Sequence, residues 1–308
     1  MKLVFLGTPE FGAIILEGLI KNGLKPFVVV TETDKPTGRN KVLAPPPVKI
    51  TARKYGIEVI QPEKLDSSFG SQILRYEPDL FVVAAYGKIL PKSILDIPKK
   101  GCLNVHPSLL PKYRGPSPVQ TAILNGDTET GTSIMLMDNQ VDHGPILIQK
   151  SVPIQKEENN LELQEKLAKI GAELLVETIP KWMQSQISIQ QQDHEKATYT
   201  QMIKKEDGRI DWKKPADTIF RQICAFYPWP SSFTMFSGKI LKIFRAKVIM
   251  QQTNTMEIGT VFLINNQVAV QTGYNCLLLE EVQLEGKSVT TIKDFMNGNK
   301  NFIGTILN

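Results

Sequence analysis

The chain begins with Met1-Lys2-Leu3-Val4-Phe5-Leu6-Gly7-Thr8-Pro9-Glu10-Phe11, a short apolar run that gives way at once to a helical pattern. The residues Leu3–Leu6 predict a buried β-strand, and the apolar positions of Phe11–Lys21 have helical spacing. The apolar run is too short for a secretory signal, so we expect it to form part of the folded core. A strand followed directly by a helix is the repeating unit of an α/β sheet.

The same alternation continues through the first half of the chain. Further buried strands are predicted at Phe27–Val30, Ile57–Ile60, Leu80–Ala85 and Cys102–Val105, with helices at Val48–Lys54 and Ser68–Tyr76. This order predicts the α/β class, with a Rossmann-like parallel sheet that carries helices on both faces. Because such sheets bind ligands at the carboxyl ends of their strands, we expect functional residues just after Leu6, Val30, Ala85 and Val105.

A change of pattern divides the chain into two predicted domains. The segment Leu161–Trp182 predicts a long amphipathic helix that closes the first domain, and the glutamine-rich stretch after it has no clear period. Short β-like runs then follow from Phe233 to Val282, with a spacing typical of a small antiparallel sheet or barrel. We therefore predict a first domain at 1–183, a linker at 184–205 and a second domain at 206–308.

The composition is that of an ordinary globular protein. The 308 residues are 42% hydrophobic and 22% charged, and no stretch approaches the ~18 consecutive apolar residues of a membrane span. Cys102, Cys224 and Cys276 lie far apart without a CxxC pair, which favours free thiols in a reducing compartment, so we expect the cytoplasm. The net charge of +5 is compatible with a polyanionic partner, but a mildly basic enzyme explains it equally well.

The strongest chemical signal is the segment Gly101-Cys102-Leu103-Asn104-Val105-His106-Pro107. Strand alternation places Asn104 and His106 on the same face, and Pro107 ends the strand at its carboxyl edge. A histidine can accept a proton near neutral pH and an asparagine amide can donate to a developing oxyanion, a combination that suits acyl transfer. The alternative is a purely structural pair that satisfies nearby backbone groups, and the pattern alone does not decide between them.

A second polar segment follows the predicted strand Thr132–Met137. It contains Asp138 and Asp142 in a turn that Gly144-Pro145 would fix. A carboxylate that reached His106 would hold the imidazole tautomer and stabilise its charged form. Either aspartate could do so on these grounds, and either could instead serve only to close an Asx turn.

The long segment Thr31–Pro47 contains Asp34-Lys35-Pro36-Thr37-Gly38-Arg39-Asn40-Lys41 at its centre. Loops of this length are often functional, and its basic residues could contact phosphates or could simply be solvated. His143 and His194 lack partners at metal-ligand spacing, so we expect no metal site. The turn after the first strand is not GxGxxG, which disfavours a dinucleotide site.

The chain resembles the folate-dependent formyltransferases at Asn104-Val105-His106-Pro107-Ser108-Leu109-Leu110-Pro111, joined to Tyr113-Arg114-Gly115. The resemblance implies that Asn104, His106 and Asp142 are the catalytic residues, which selects Asp142 over Asp138. It also implies that 10-formyltetrahydrofolate is the co-substrate and that Ser108, Leu109, Leu110 and Pro111 contact it.

Other segments resemble the branch of this family that formylates methionyl-initiator tRNA. These are Phe5–Phe11, Asp34–Arg39, Lys205-Glu206-Asp207-Gly208-Arg209-Ile210-Asp211-Trp212 and Tyr227-Pro228-Trp229-Pro230. The resemblance implies that the second domain is a small OB-like barrel that holds tRNA and that Arg39 enters the acceptor stem. We expect a monomer without a metal ion.

Three rival functions share part of this pattern. A sugar-nucleotide N-formyltransferase would keep the same catalytic residues but would not need the basic loop at Arg39. A formyl-folate hydrolase would use the same co-substrate with water as acceptor. A non-catalytic RNA-binding protein would leave Asn104, His106 and Asp142 without a role.

Overall fold

The structure is a computed structural model that describes residues 1–37, 42–250 and 256–308. Its strands and helices follow the predicted alternation in the first half of the chain and become mainly strands in the second. In chain order they are β1 (Leu3–Gly7), α1 (Glu10–Lys21), β2 (Val28–Val30), β3 (Lys35–Thr37), β4 (Val42–Ala44), α2 (Pro47–Lys54), β5 (Glu58–Ile60), α3 (Ser67–Leu74), β6 (Leu80–Ala84), α4 (Lys92–Leu95), β7 (Cys102–His106), α5 (Pro118–Asn125), β8 (Glu129–Leu136), β9 (Ile146–Pro153), α6 (Asn160–Met183), α7 (Ala216–Ala225), β10 (Ser232–Phe236), β11 (Lys239–Ile249), β12 (Val261–Ile264), β13 (Gln267–Gln271), β14 (Cys276–Leu284), β15 (Thr290–Thr291) and α8 (Ile292–Gly298).

The first sheet has seven strands in the order β5-β2-β1-β6-β7-β8-β9. The five strands from β5 to β7 are parallel, and all five were predicted from their apolar runs. The order reverses between β1 and β6, which places a ligand-binding crevice at the carboxyl ends of the central strands. The prediction of a Rossmann-like parallel sheet is confirmed for this part.

Two antiparallel strands, β8 and β9, extend the sheet beyond β7. The strand predicted at Thr132–Met137 overlaps β8, which ends one residue earlier at Leu136, but β9 was not predicted. Four of its eight side chains are exposed and only one is buried, so it lacks the alternating burial that marks a strand in sequence. The first sheet is therefore mixed rather than purely parallel.

The core around the parallel strands is apolar and buried. The strands β1, β2 and β6 are buried along their whole length, as expected for a sheet covered on both faces. The helix α1 buries Ile15, Leu16 and Leu19, which recur at helical spacing. The long helix predicted at Leu161–Trp182 is α6, and Ala172 of α6 lies against Gly18 of α1.

The second sheet is antiparallel and follows the path β10-β11-β14-β13-β12, with β15 paired to β14. Its core contains aromatic side chains in edge-to-face contact, namely Phe236, Phe295 and Phe302. Among the described residues β12 does not pair with β10. The antiparallel sheet is as predicted, but a closed OB-like barrel is not confirmed.

The chain divides into two compact units, each made of several segments. The first unit is Met1–Pro118, Glu129–Pro153 and Gln164–Thr200, and the second is Val119–Thr128, Ile154–Leu163 and Gln201–Asn308. Most of the stretch that we predicted as a linker, up to Thr200, thus lies in the first unit. The functional domain limits 1–183, 184–205 and 206–308 stay a prediction. No helix in the described part of the chain is both long and apolar enough for a membrane span.

Candidate active site

Two of the predicted catalytic residues lie at the carboxyl end of β7, beside the centre of the sheet. Asn104 pairs with Val83 of β6 on one side and with Met135 of β8 on the other, and His106 pairs with Ser133. Because side chains alternate along a strand, Asn104 and His106 point to the same face. Asn104 is half-buried and His106 is buried, so the amide is the more accessible of the two groups.

The carboxylate of Asp142 brings the polar groups of the site together. Asn104 Nδ2 donates to Asp142 Oδ1 at 3.2 Å, and His106 Nδ1 lies 3.5 Å from the same oxygen. The backbone N–H of Gly115 donates to Asp142 Oδ2 at 2.8 Å. The side chain of Asp142 is 14% exposed, so these contacts are only weakly screened by solvent.

The second ring nitrogen of His106 is also held. His106 Nε2 lies 2.9 Å from the carbonyl oxygen of Tyr113, which can only accept a hydrogen bond. Both ring nitrogens therefore face oxygen acceptors, Nδ1 the Asp142 carboxylate and Nε2 the Tyr113 carbonyl. These two contacts hold the imidazole ring in place beside Asn104 and Asp142.

The loop that carries Asp142 has a backbone that depends on glycine. Asp142 itself has a φ of 49°, and two residues later Gly144 passes close to β8. A Cβ atom on Gly144 would lie 1.9 Å from the carbonyl oxygen of Leu136, far inside van der Waals contact. The close approach of the two backbones is therefore available only to glycine.

The structure separates the two aspartates that the residue pattern alone left as alternatives and from which the resemblance selected Asp142. Asp138 accepts from the backbone N–H of Gln140 and pairs with His143 Nδ1 at 2.6 Å. Asp142, not Asp138, lies next to His106. The catalytic roles that we assign to Asn104, His106 and Asp142 stay a prediction.

The predicted folate stretch Ser108–Pro111 forms a tightly bonded turn. Ser108 and Leu110 are buried, and Ser108 Oγ donates to the carbonyl oxygen of Lys112 at 2.6 Å. The backbone N–H of Leu110 donates to Ser133 Oγ at 3.2 Å. Leu109 and Pro111 are half-buried. The contact of Ser108, Leu109, Leu110 and Pro111 with folate stays a prediction.

Arg39 lies outside the described residues, but the strands that precede and follow it in the chain are described. The strands β3 and β4 pair as a short hairpin, and Lys49 fixes the preceding segment by donating to Asp34 Oδ1 and Oδ2 at 2.7 and 2.8 Å. Gln61 Nε2 also donates to Asp34 Oδ1 at 2.8 Å. The hydrogen bonds from Lys49, and then that from Gln61, hold the pKa of Asp34 below its ordinary value.

The sequence missed one residue that contacts the site. Gln192 lies in the polar stretch after α6 and is buried, and its Nε2 donates to the carbonyl oxygens of Asp142 and Gly144 at 2.9 and 2.7 Å. A glutamine among other polar residues has no periodic signal. The only hint in the sequence is the adjacent aspartate and histidine at 193 and 194.

Two family models match almost the whole chain. The model described as formyl transferase matches residues 1–179, and the model described as formyl transferase, C-terminal domain, matches residues 202–300. The first match contains β7 and the loop with Asp142. The second contains α7 and the antiparallel sheet.

Curated relatives match the chain over nearly its full length. A methionyl-tRNA formyltransferase of Citrifermentans bemidjiense is 42% identical over 97% of this chain and 94% of its own length. A methionyl-tRNA formyltransferase of Caldanaerobacter subterraneus is 41% identical over the whole of both chains. Among solved structures, HypX of Aquifex aeolicus in complex with tetrahydrofolic acid has a TM-score of 0.68 at 15% identity, over 98% of this chain and 48% of that one. At this identity the structural match shows the fold alone.

Proposed function

Because the chain belongs to the formyltransferase family, we propose that it transfers the formyl group of 10-formyltetrahydrofolate to the α-amine of methionyl-initiator tRNA. The product is the formylated initiator tRNA that begins bacterial protein synthesis. The observation that carries the proposal is the identity of 41–42% to methionyl-tRNA formyltransferases over at least 97% of the chain.

The arrangement around Asp142 supports a direct acyl transfer. In the proposed step the neutral amine attacks the formyl carbon, a C–N bond forms, and the carbonyl becomes a tetrahedral oxyanion. Collapse of this intermediate breaks the bond to N10 of the folate. The acceptor amine is already a nucleophile when neutral, so no covalent enzyme intermediate is needed.

Each polar residue has a role in this step that its contacts permit. Asn104 Nδ2 has two N–H groups, so it can donate to Asp142 and to the oxyanion at the same time. His106 would add positive charge beside the oxyanion. Asp142 would hold that imidazolium and pass a proton from the attacking amine towards the leaving N10.

The folate is proposed to lie along the edge formed by Ser108–Pro111 and the Asp142 loop. The half-buried Leu109 and Pro111 would contact the ligand, while the buried Ser108 and Leu110 hold the turn. Two exposed apolar side chains, Ile89 after β6 and Val141 beside Asp142, are 83% and 54% exposed. Covering them with an aromatic ring system would remove apolar surface from water.

The tRNA is proposed to contact Arg39 with its acceptor stem and residues 206–308 with its backbone. The net charge of +5 supports a polyanionic partner. Phosphate contacts release counterions, so binding should weaken steeply with salt. We further propose that the protein acts as a monomer in the cytoplasm, where the free thiols Cys102, Cys224 and Cys276 stay reduced.

The test of the proposed function is a transfer assay with labelled formyl-folate and three acceptors: methionyl-initiator tRNA, a sugar-nucleotide amine and water. We expect label on the tRNA alone. Asn104→Ala should lower kcat by about 10²–10³-fold with little change in folate affinity, since one oxyanion donor is lost. Label on the sugar amine or on formate would show a different acceptor.

Three variants test the individual residue assignments. Arg39→Ala should raise KM for tRNA and leave folate binding unchanged, whereas a merely solvated loop would show neither effect. If Asn104→Ala and His106→Ala both kept near-normal turnover, the catalytic assignment would be wrong even if label reached the tRNA.

A further inference from the structure

The side chain of Gln192 uses all of its hydrogen-bonding capacity in one place. Its Nε2 donates to the carbonyl oxygens of Asp142 and Gly144, and its Oε1 accepts from Arg114 Nε at 3.1 Å and Nη2 at 2.7 Å. Two donor and two acceptor positions are the full inventory of a primary amide. Because Arg114 can only donate, the orientation of this amide is fixed by its partners.

The guanidinium of Arg114, which binds Gln192, is itself held in place by several contacts. Arg114 is 1% exposed, and its backbone bonds to the chain at Thr198 and Thr200. Arg114 Nη1 donates to Tyr199 Oη at 3.2 Å. A planar guanidinium fixed on several sides is a rigid support, because few of its rotamers fit the same set of partners.

Two stacked histidines, His143 and His194, connect Arg114 to Asp138 at the start of the Asp142 loop. Arg114 Nη2 donates to His194 Nδ1 at 2.8 Å, and the ring of His194 stacks on His143 with centroids 4.1 Å apart and an interplanar angle of 5°. His143 in turn pairs with Asp138. The loop from Asp138 to Gly144 is therefore held at both ends by residues that converge on Arg114.

From these contacts we infer that Gln192 is a positioning residue for the formyl transfer: from its Arg114 anchor it fixes the backbone carbonyls on either side of His143 and so sets the Asp142 carboxylate against Asn104 and His106. The inference rests on the proposed function. Gln192 does not touch the reacting atoms in this arrangement, because all four of its hydrogen-bonding positions are used within the protein.

The substitution Gln192→Glu isolates this role. Glutamate keeps the two acceptor contacts with Arg114 but replaces the donating NH2 group with a single carboxylate oxygen, which repels the carbonyl oxygens of Asp142 and Gly144. The loop must move while the anchor stays in place. Since a misplacement of about 1 Å at a catalytic group can cost ~10²-fold, we expect kcat to fall by that order. KM for formyl-folate and for tRNA should change by less than about threefold, because neither substrate contact is removed.

The control is Gln191→Glu, which adds the same charge at the exposed neighbouring position. It should keep wild-type kcat. A second variant, Gln192→Leu, removes the hydrogen bonds to Arg114 and to the carbonyl oxygens of Asp142 and Gly144 without adding charge. It should also lower kcat, and its loss of thermal stability is measured separately. If Gln192→Glu kept wild-type kcat at a temperature well below its Tm, Gln192 would be a structural residue only and the inference would be overturned.

A readout that does not depend on activity separates this inference from the proposed function. The backbone N–H of Gly115 donates to Asp142 Oδ2, so its amide proton shift in an NMR spectrum reports where the carboxylate lies. We expect this resonance to shift in Gln192→Glu and to stay in place in Gln191→Glu. An unmoved resonance would refute the positioning role, whereas a wild-type protein that formylates no tRNA would refute only the proposed function.

Discussion

The substitution Gly144→Ala should remove most of the formyl-transfer activity, because Gly144 in the Asp142 loop has no room for a side chain. The new Cβ of Gly144→Ala would lie 1.9 Å from the carbonyl oxygen of Leu136, whereas ordinary contact begins at 3.4 Å. The two backbones must therefore separate by roughly 1.5 Å. Asp142 lies two residues away and its carboxylate contacts Asn104 and His106. A displacement of this size at a catalytic group costs on the order of 10²-fold in kcat.

The same clash should lower the free energy of unfolding by about 1–3 kcal/mol, as overpacking does elsewhere. The assay is the initial rate of formyl transfer at saturating substrates, combined with thermal unfolding. Gly273→Ala is the matched control, since its Cβ would also lie 1.9 Å from a backbone carbonyl, that of Lys213, away from the Asp142 loop. Gly298→Ala is the neutral control, because in the described part of the chain nothing apart from its own chain neighbours and helix backbone lies within 4 Å of its Cβ.

We expect Gly144→Ala and Gly273→Ala to lose stability to a similar extent, but only Gly144→Ala to lose kcat by ~10²-fold. If both variants showed the same loss of stability and the same near-normal turnover, the position of Asp142 would not control the reaction. The control at Gly298 should leave both quantities close to those of the wild type.

Two further predictions concern titratable groups. Hydrogen bonds from Lys54, and then from Tyr55, lower the pKa of Glu17 to about 2, so its stabilising contribution is present above pH ~4.5 and is lost as the pH falls towards 2. Glu17→Gln should therefore flatten the dependence of Tm on pH in this range, and an unchanged slope would contradict the assignment. Burial raises the pKa of the Cys102 and Cys224 thiols to about 12. At pH 8 a thiolate-specific reagent should leave both unmodified in the native protein and label them on unfolding, and rapid native labelling would show that they are accessible.

The central strands of the first sheet could be predicted because burial on both faces leaves a clear mark in the sequence. The runs that became β1, β2 and β6 are apolar throughout, so their positions follow from composition alone. Half of the side chains of the edge strand β9 are exposed, and its pairing with β8 depends on long-range contacts that no local pattern records. The closed barrel was predicted by resemblance, and the described strand pairing does not confirm it.

In the candidate site, too, the features set by local sequence could be predicted and those set by long-range contacts could not. Asn104 and His106 could be placed together because strand alternation is a local rule. The residue pattern alone did not choose between Asp138 and Asp142. The resemblance selected Asp142, and the loop conformation, which depends on Gly144 and β8, brings Asp142 next to His106. The role of Gln192 could not be predicted from the sequence. It contacts Asp142, which lies 50 residues earlier in the chain, and no hydrophobic periodicity marks it as buried.

The Arg114 anchor also constrains how the protein can be synthesised. Arg114 leaves the ribosome early, but its side-chain partners Gln192, His194 and Tyr199 follow 78 to 85 residues later. A buried guanidinium without partners is unfavourable by several kcal/mol, so this part of the nascent chain must stay solvated until those residues emerge. The last strand of the first sheet, β9, is complete at Pro153. The first unit nevertheless cannot finish folding until Thr200 has been synthesised, because its final segment ends there. Slow translation between residues 153 and 200 would therefore prolong a state in which the half-finished enzyme depends on chaperones and is open to proteases.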